Sequence, residues 1–189
     1  LSNGDEDSRP VLGMFLGGAG LAETILFCRN KIYPLGLPNG LSHVLAAIAV
    51  VLSILFGLKA NFLPARSRPV RISLLRDGVL QGSFSILIVT TLEKLLLIGR
   101  AVGSNKLGHM KFMAVDHNRW LLFKVFFASL FGKISDHNMR GVHIERGDTI
   151  RIDSEKSSVV LDGEVFEANS EHPIFLRSTK PIPFLQLAA

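Results

Sequence analysis

The stretch VVLDGEVFEA, residues 159–168, decides how the fold is read. Two runs rich in Val, Leu and Phe flank Asp162-Gly163. Asp-Gly between β-forming runs is among the strongest signals for a two-residue hairpin, because both turn positions require positive φ. Working outward, the same texture recurs. Strands are predicted at 142–145, 149–152, 158–161, 165–167 and 174–177, separated by Gly147-Asp148, the polar stretch 153–157 and the Asp162-Gly163 turn. Upstream, 110–116 reads as another strand. VRISLL (70–75) and SFSILIVTTL (83–92) flank a second hairpin candidate at Asp77-Gly78.

Helical texture is confined to a few places. RWLLFKVFFASLF (119–131) carries apolar residues too densely for β alternation and predicts a helix inserted after Asp116. Near the start, the run 11–16 (VLGMFL) reads as a buried strand ending at Gly17-Gly18-Ala19-Gly20. Residues 21–33 then take helical spacing up to Pro34. The uncharged segment 41–58 approaches the length of about 20 residues needed to span a bilayer. Ser42, His43, Ser53 and Gly57 interrupt it and Pro34 and Pro38 precede it, which favours a buried or lipid-contacting helix over a transmembrane one. The resulting expectation is mainly β with helices (α+β): an antiparallel β-sandwich with helices at its N-terminal side and one inserted helix.

Composition narrows the function classes. Hydrophobic residues form 48% of the 189-residue chain and charged residues 20%, too apolar for a disordered segment. Residues 59–124 hold eleven Lys and Arg against Asp77, Glu93 and Asp116, so the middle of the chain is basic and the remainder slightly acidic. A surface of that sign attracts anionic headgroups or nucleotide phosphates. Nucleic acid is disfavoured, because the aromatics are mostly Phe in apolar runs without basic interleaving. The single cysteine, Cys28, excludes an intramolecular disulfide and a multi-cysteine zinc site, reads as a core thiol, and makes a reducing cytosol the simplest compartment. His43, His109, His117, His137, His143 and His172 lack the i, i+4 spacing of a zinc helix. The acidic, polar stretch 1–10 is unlike a signal peptide and reads as a linker or cut end, leaving 11–189 as one domain.

Taken alone, Asp162-Gly163-Glu164 is satisfied by a bare turn. A carboxylate fixed at a hairpin tip can also serve as a general base toward a substrate hydroxyl. Leu161-Asp162-Gly163-Glu164, flanked by strands near the C-terminus, resembles the corresponding turn of the diacylglycerol kinase and sphingosine kinase-like lipid kinases. The tail EHPIFLRSTKPIPFL (171–185) is similar to their closing strand. The resemblance implies the C-terminal β-sandwich of an ATP-dependent lipid kinase that phosphorylates a diacylglycerol-like or sphingoid hydroxyl, with Asp162 or Glu164 as base and Asp162 slightly preferred. It implies ATP and Mg2+ in the full-length enzyme, an N-terminal nucleotide-binding domain as partner, a lipid substrate, and a cytoplasmic protein peripheral at the membrane, with a homodimer left open.

Two departures accompany the resemblance. The Gly-Gly-Asp-Gly-Thr phosphate loop of these kinases occurs nowhere in the chain, and Gly17-Gly18-Ala19-Gly20 resembles the strand-to-helix turn of their second domain instead. The stretch 104–110 (SNKLGHM) lacks the carboxylates with which many relatives hold a structural magnesium, so no metal ligand is assigned. The apolar segments 44–56 and 121–131 could line a lipid cavity or fill the core. Arg66, Arg68, Arg71 and Arg76 would lie near anionic headgroups. A non-catalytic membrane-associated or lipid-binding β module is the alternative.

Overall fold

The structure, a computed structural model, describes residues 1, 9–36, 69–74, 78–92, 108–130, 139–154, 156–169 and 172–180. In chain order these form strand β1 (Phe15–Gly18), helix α1 (Gly20–Phe27), a π-helical turn (Cys28–Ile32) and a 3-10 turn (Tyr33–Leu35). Strands β2 (Pro69–Leu74), β3 (Gly78–Thr90) and β4 (Met110–Asp116) follow, then helix α2 (Arg119–Leu130). The chain closes with β5 (Val142–Gly147), β6 (Thr149–Ser154), β7 (Lys156–Leu161), β8 (Glu164–Asn169) and β9 (Ile174–Arg177). The segment 41–58, expected from the sequence to be a buried or lipid-contacting helix, lies outside the described residues. Among the described residues no helix is long and apolar enough to cross a membrane.

All pairings are antiparallel, in the order β8-β7-β1-β3-β2-β6-β9, with β4 added to β3 and β5 to β4. The 13-residue β3 organises this arrangement. Its first half pairs with β2, Gly78 opposite Leu74 and Ser83 opposite Pro69. Its second half lies between β1 and β4. The register against β4 shifts between Phe84 and Ile86, leaving Ser85 as the extra residue of a bulge. Bulges bend a strand and increase its twist. The bend folds the two halves of the sheet over one interior: Leu16, Leu87, Phe112, Ala114, Val159 and Leu161 of one half share a buried cluster with Ile72, Ile150, Ile152, Ile174 and Leu176 of the other. Among the described residues the architecture is thus an antiparallel half-barrel with two α-helices, in the expected α+β class.

The β4 run is apolar on both faces because both are covered. Phe112 and Ala114 face the shared interior, while Met113 and Val115 face a second cluster with Ile88, Val142 and the α2 residues Leu121 and Val125. Burying each of these side chains larger than alanine stabilises the fold by roughly 1.5–3 kcal/mol. Helix α2 starts where expected. Asn118 caps it, its Oδ1 accepting the Trp120 N–H at 3.0 Å and its carbonyl accepting the Leu122 N–H at 2.9 Å.

The first strand differs from the sequence expectation of 11–16. It spans Phe15–Gly18 and so runs into the glycines. Those glycines permit close packing: a Cβ on Gly18 would lie 2.9 Å from Leu87, and one on Gly20 would lie 2.6 Å from the Ser85 carbonyl oxygen. Helix α1 therefore docks directly on the bulge in β3. Cys28 is half-buried, and burial pushes its thiol up from the ordinary cysteine range, with a backbone hydrogen bond opposing.

Candidate functional site

β7 and β8 form the hairpin read from the sequence, with Val160 opposite Val165 and Leu161 opposite Glu164. Asp162 has φ 47° and Gly163 φ 97°, the left-handed backbone that a two-residue type I′ turn needs and that Asp and Gly tolerate best. Asp162 also reaches across the fold. Its Oδ2 accepts the Met14 N–H at 2.8 Å, its Oδ1 accepts the Phe15 N–H at 3.0 Å, and its own N–H donates to the Phe15 carbonyl at 3.0 Å. Gly13 makes room for this contact, since a Cβ there would lie 2.6 Å from Leu161 and 2.9 Å from Asp162 Oδ2. The turn is pinned to the entry of β1 by three hydrogen bonds.

The two carboxylates consequently differ. Asp162 is held by backbone donors, yet a carboxylate offers about four acceptor positions and these contacts use two. Glu164 is exposed, and its side chain makes no hydrogen bond or ion pair among the described residues. The turn caps the edge hairpin, because β8 ends the strand order. Antiparallel register brings several other groups to the same end of the sheet. Phe15 lies opposite Thr90, Thr90 opposite Lys111, and Lys111 opposite Arg146. Thr90, a buried polar residue, donates to the Met14 carbonyl at 2.9 Å and accepts the Leu92 N–H at 3.1 Å. Lys111 and Arg146 place basic groups at this end, which the sequence reading did not single out.

Asp148 forms a second carboxylate centre at that end, where the chain passes from β5 to β6. Its Oδ1 accepts the His109 N–H at 3.0 Å and the Ser178 hydroxyl at 3.0 Å, and lies 3.2 Å from His109 Nδ1. The Ser178 N–H donates back to the Asp148 carbonyl at 2.9 Å. Hydrogen bonds from the His109 amide and from Ser178 hold the Asp148 carboxyl below its ordinary range. Elsewhere Ser85 Oγ lies 2.8 Å from His117 Nδ1, and His143 Nε2 lies 3.2 Å from Asp116 Oδ1.

Among the described residues, the groups singled out for a nucleotide or metal are engaged by other parts of the fold. Gly17, Gly18 and Gly20 are occupied by Leu21, Leu87, Val159 and the Ser85 carbonyl, so the glycine turn has no cradle for a phosphate. Asp148, beside the described end of the 104–110 stretch, is engaged by His109 and Ser178. No group of three or more His, Cys, Asp or Glu among the described residues could hold a metal ion. Arg66, Arg68 and Arg76 lie outside the described residues, and Arg71 sits in β2. Of the two apolar segments, 44–56 also lies outside them. α2 divides its residues, with Leu121 and Val125 in the core and Trp120, Phe126 and Phe127 exposed.

No protein-family model and no curated protein matches the chain significantly. Solved structures do. A candidate diacylglycerol kinase from Bacillus anthracis strain Sterne matches with a TM-score of 0.45 and 16% identity, over 88% of this chain and 52% of that one. A second diacylglycerol kinase structure from the same strain matches with a TM-score of 0.42 and 14% identity, over 86% and 45% of the two chains. A further candidate diacylglycerol kinase from that strain gives 0.43 and 17%, over 86% and 52%. The chain is thus similar to lipid kinase structures and spans about half the length of each.

Proposed function

We propose that this chain is the substrate-binding, base-donating domain of an ATP-dependent lipid kinase, and that the Asp162-Gly163-Glu164 turn presents the carboxylate that takes the proton from a lipid hydroxyl. The observation that carries the proposal is the pinned turn. Three hydrogen bonds to Met14 and Phe15 fix its position, and both carboxylates, those of Asp162 and Glu164, stay exposed there. A general base acts through position as much as through basicity, so a rigid tip is a suitable carrier.

On this reading the two acids divide the labour. Asp162 orients the turn and retains lone pairs for a hydroxyl, whereas Glu164 accepts no hydrogen bond from the described residues. Lys111 and Arg146, at the same end of the sheet, suit the anionic phosphates of a substrate complex. ATP and Mg2+ belong, on this reading, to an N-terminal nucleotide-binding domain outside this chain, and the chain by itself transfers no phosphate. The full-length protein, incubated with labelled ATP, Mg2+ and mixed micelles of diacylglycerol, sphingoid base or monoacylglycerol, is expected to label at least one lipid. Absence of labelled lipid across the panel would refute the proposal.

A second reading rests on the same contacts. With both oxygens engaged by backbone N–H groups, Asp162 suffices as a structural latch, and the domain would then be a non-catalytic, lipid-binding β module. Lipid binding by the full-length protein without transfer to any lipid would favour this second reading, whereas transfer by a protein carrying both Asp162→Asn and Glu164→Gln would reduce the turn to a latch within a kinase.

A further inference from the structure

Helix α2 exposes what a soluble helix normally hides. Leu121 and Val125, one turn apart, rest on Val115 and Val142. At 100° per residue, Trp120, Phe123 and Phe127 project from the opposite side, with Phe126 toward one border. Trp120 is 75% exposed, Phe127 42% and Phe126 38%. The rings hold one another: the Phe123 and Phe127 centroids are 4.6 Å apart, and Phe126 meets Phe127 edge-on at 5.6 Å. Arg119 and Lys124 border this aromatic strip on its two sides, and the helix contains no acidic residue. Arg140 is exposed beside Gly141, whose Cβ position would lie 2.8 Å from Leu121.

We infer that the outward face of α2 is the element by which this domain docks on an anionic lipid bilayer. Tryptophan and phenylalanine gain free energy at the boundary between headgroups and acyl chains, where an apolar ring is buried and the indole N–H keeps a polar partner. Arginine and lysine on either side of the rings lie at headgroup depth, each contributing about 1 kcal/mol toward an anionic surface. The Asn118 cap and the Leu121 and Val125 anchors keep the helix against the sheet while its aromatic side enters the interface plane. Charge complementarity points to the occupant: Arg119 and Lys124 beside the aromatic rings, on a helix without an acidic residue, match the anionic headgroups that surround an inserted ring. The inference stands apart from the kinase reading, since it requires neither nucleotide nor a phosphorylatable lipid.

The chain holds a single tryptophan, Trp120, so its fluorescence reports this face directly. The test titrates the protein with vesicles of phosphatidylcholine alone and of phosphatidylcholine with phosphatidylglycerol, both free of diacylglycerol and of ATP. The expected result is a blue shift with the anionic vesicles, quenching by bromine-labelled acyl chains, and reversal by high salt. Lys124→Glu, an exposed change, removes one attractive charge and adds one repulsive charge, and should weaken partitioning about thirtyfold, or about 2 kcal/mol at 1.4 kcal/mol per tenfold. Phe127→Ser should abolish the shift while the far-ultraviolet circular dichroism stays unchanged. An emission indifferent to vesicles, an equal shift with neutral vesicles, or a shift that follows protein concentration without lipid would each overturn the inference, the last by assigning the face to a second copy of the chain. Lipid phosphorylation by a protein that fails this test would leave the kinase proposal standing.

Discussion

Replacing Asp162 by alanine removes two hydrogen bonds to β1 and leaves a residue with a Cβ at φ 47°. Each exposed bond contributes about 1 kcal/mol net, and left-handed backbone costs a non-glycine residue about 1–2 kcal/mol where asparagine and aspartate are tolerated. The expected loss for Asp162→Ala is therefore about 3 kcal/mol. Asp162→Gly loses the same bonds without the backbone strain and should cost about 2 kcal/mol. Asp162→Asn keeps the backbone preference and one acceptor oxygen, and should cost about 1 kcal/mol. The predicted order is Asn, Gly, Ala, and for a domain of this size it spans roughly 2–12 °C of melting temperature. Urea unfolding followed by far-ultraviolet circular dichroism measures it. Equal midpoints for wild type and Asp162→Ala would refute the latch, and Gly falling below Ala would refute the role of the turn backbone.

Three further outcomes follow from the packing. Gly20→Ala should destabilise the domain by about 1–3 kcal/mol in thermal melts, although alanine normally favours a helix, because its Cβ would meet the Ser85 carbonyl oxygen at 2.6 Å. Phe112→Ala, which empties a fully buried site in β4, should cost about 3–5 kcal/mol in the same measurement. The Asp148 carboxyl is held below its ordinary value in the fold, so its stabilising contribution is complete above the unfolded carboxylate pKa. That contribution is lost as the pH falls through the folded value, which lies below the ordinary aspartate range. Acid unfolding of Ser178→Ala should accordingly begin at higher pH than that of the wild type, and coincident curves would count against the Asp148 bonds.

Strands were legible where local pattern matched burial. MKFMAVD and IFLR are apolar, free of breakers and bounded by turns, and the structure places β4 and β9 at those residues. The first half of β3 escaped detection because its alternation is inverted in chemistry: Val79 is exposed, while Gly82 is among the residues facing inward against Phe84. Long-range pairing left no local trace either. β1 lies between β3 and β7, partners some 70 and 140 residues away, and no periodicity specifies which strands meet. The candidate site divides in the same way. Asp162-Gly163 announced its turn, since the backbone demand is local, but the reach of Asp162 to Met14 and Phe15 depends on that distant pairing. The aromatic face of α2 was hidden by its own composition, because a helix apolar all round gives no clue to which side the core takes.

The base assignment is tested most directly by steady-state phosphorylation of the accepted lipid by full-length wild type, Asp162→Asn and Glu164→Gln, each first matched for its unfolding curve. Loss of the proton acceptor is expected to lower kcat on the order of a hundredfold or more in at least one variant, with a smaller change in KM for the lipid. Wild-type kcat in both variants would contradict the account, leaving the hairpin as a turn that only fastens β7 and β8 to the first strand.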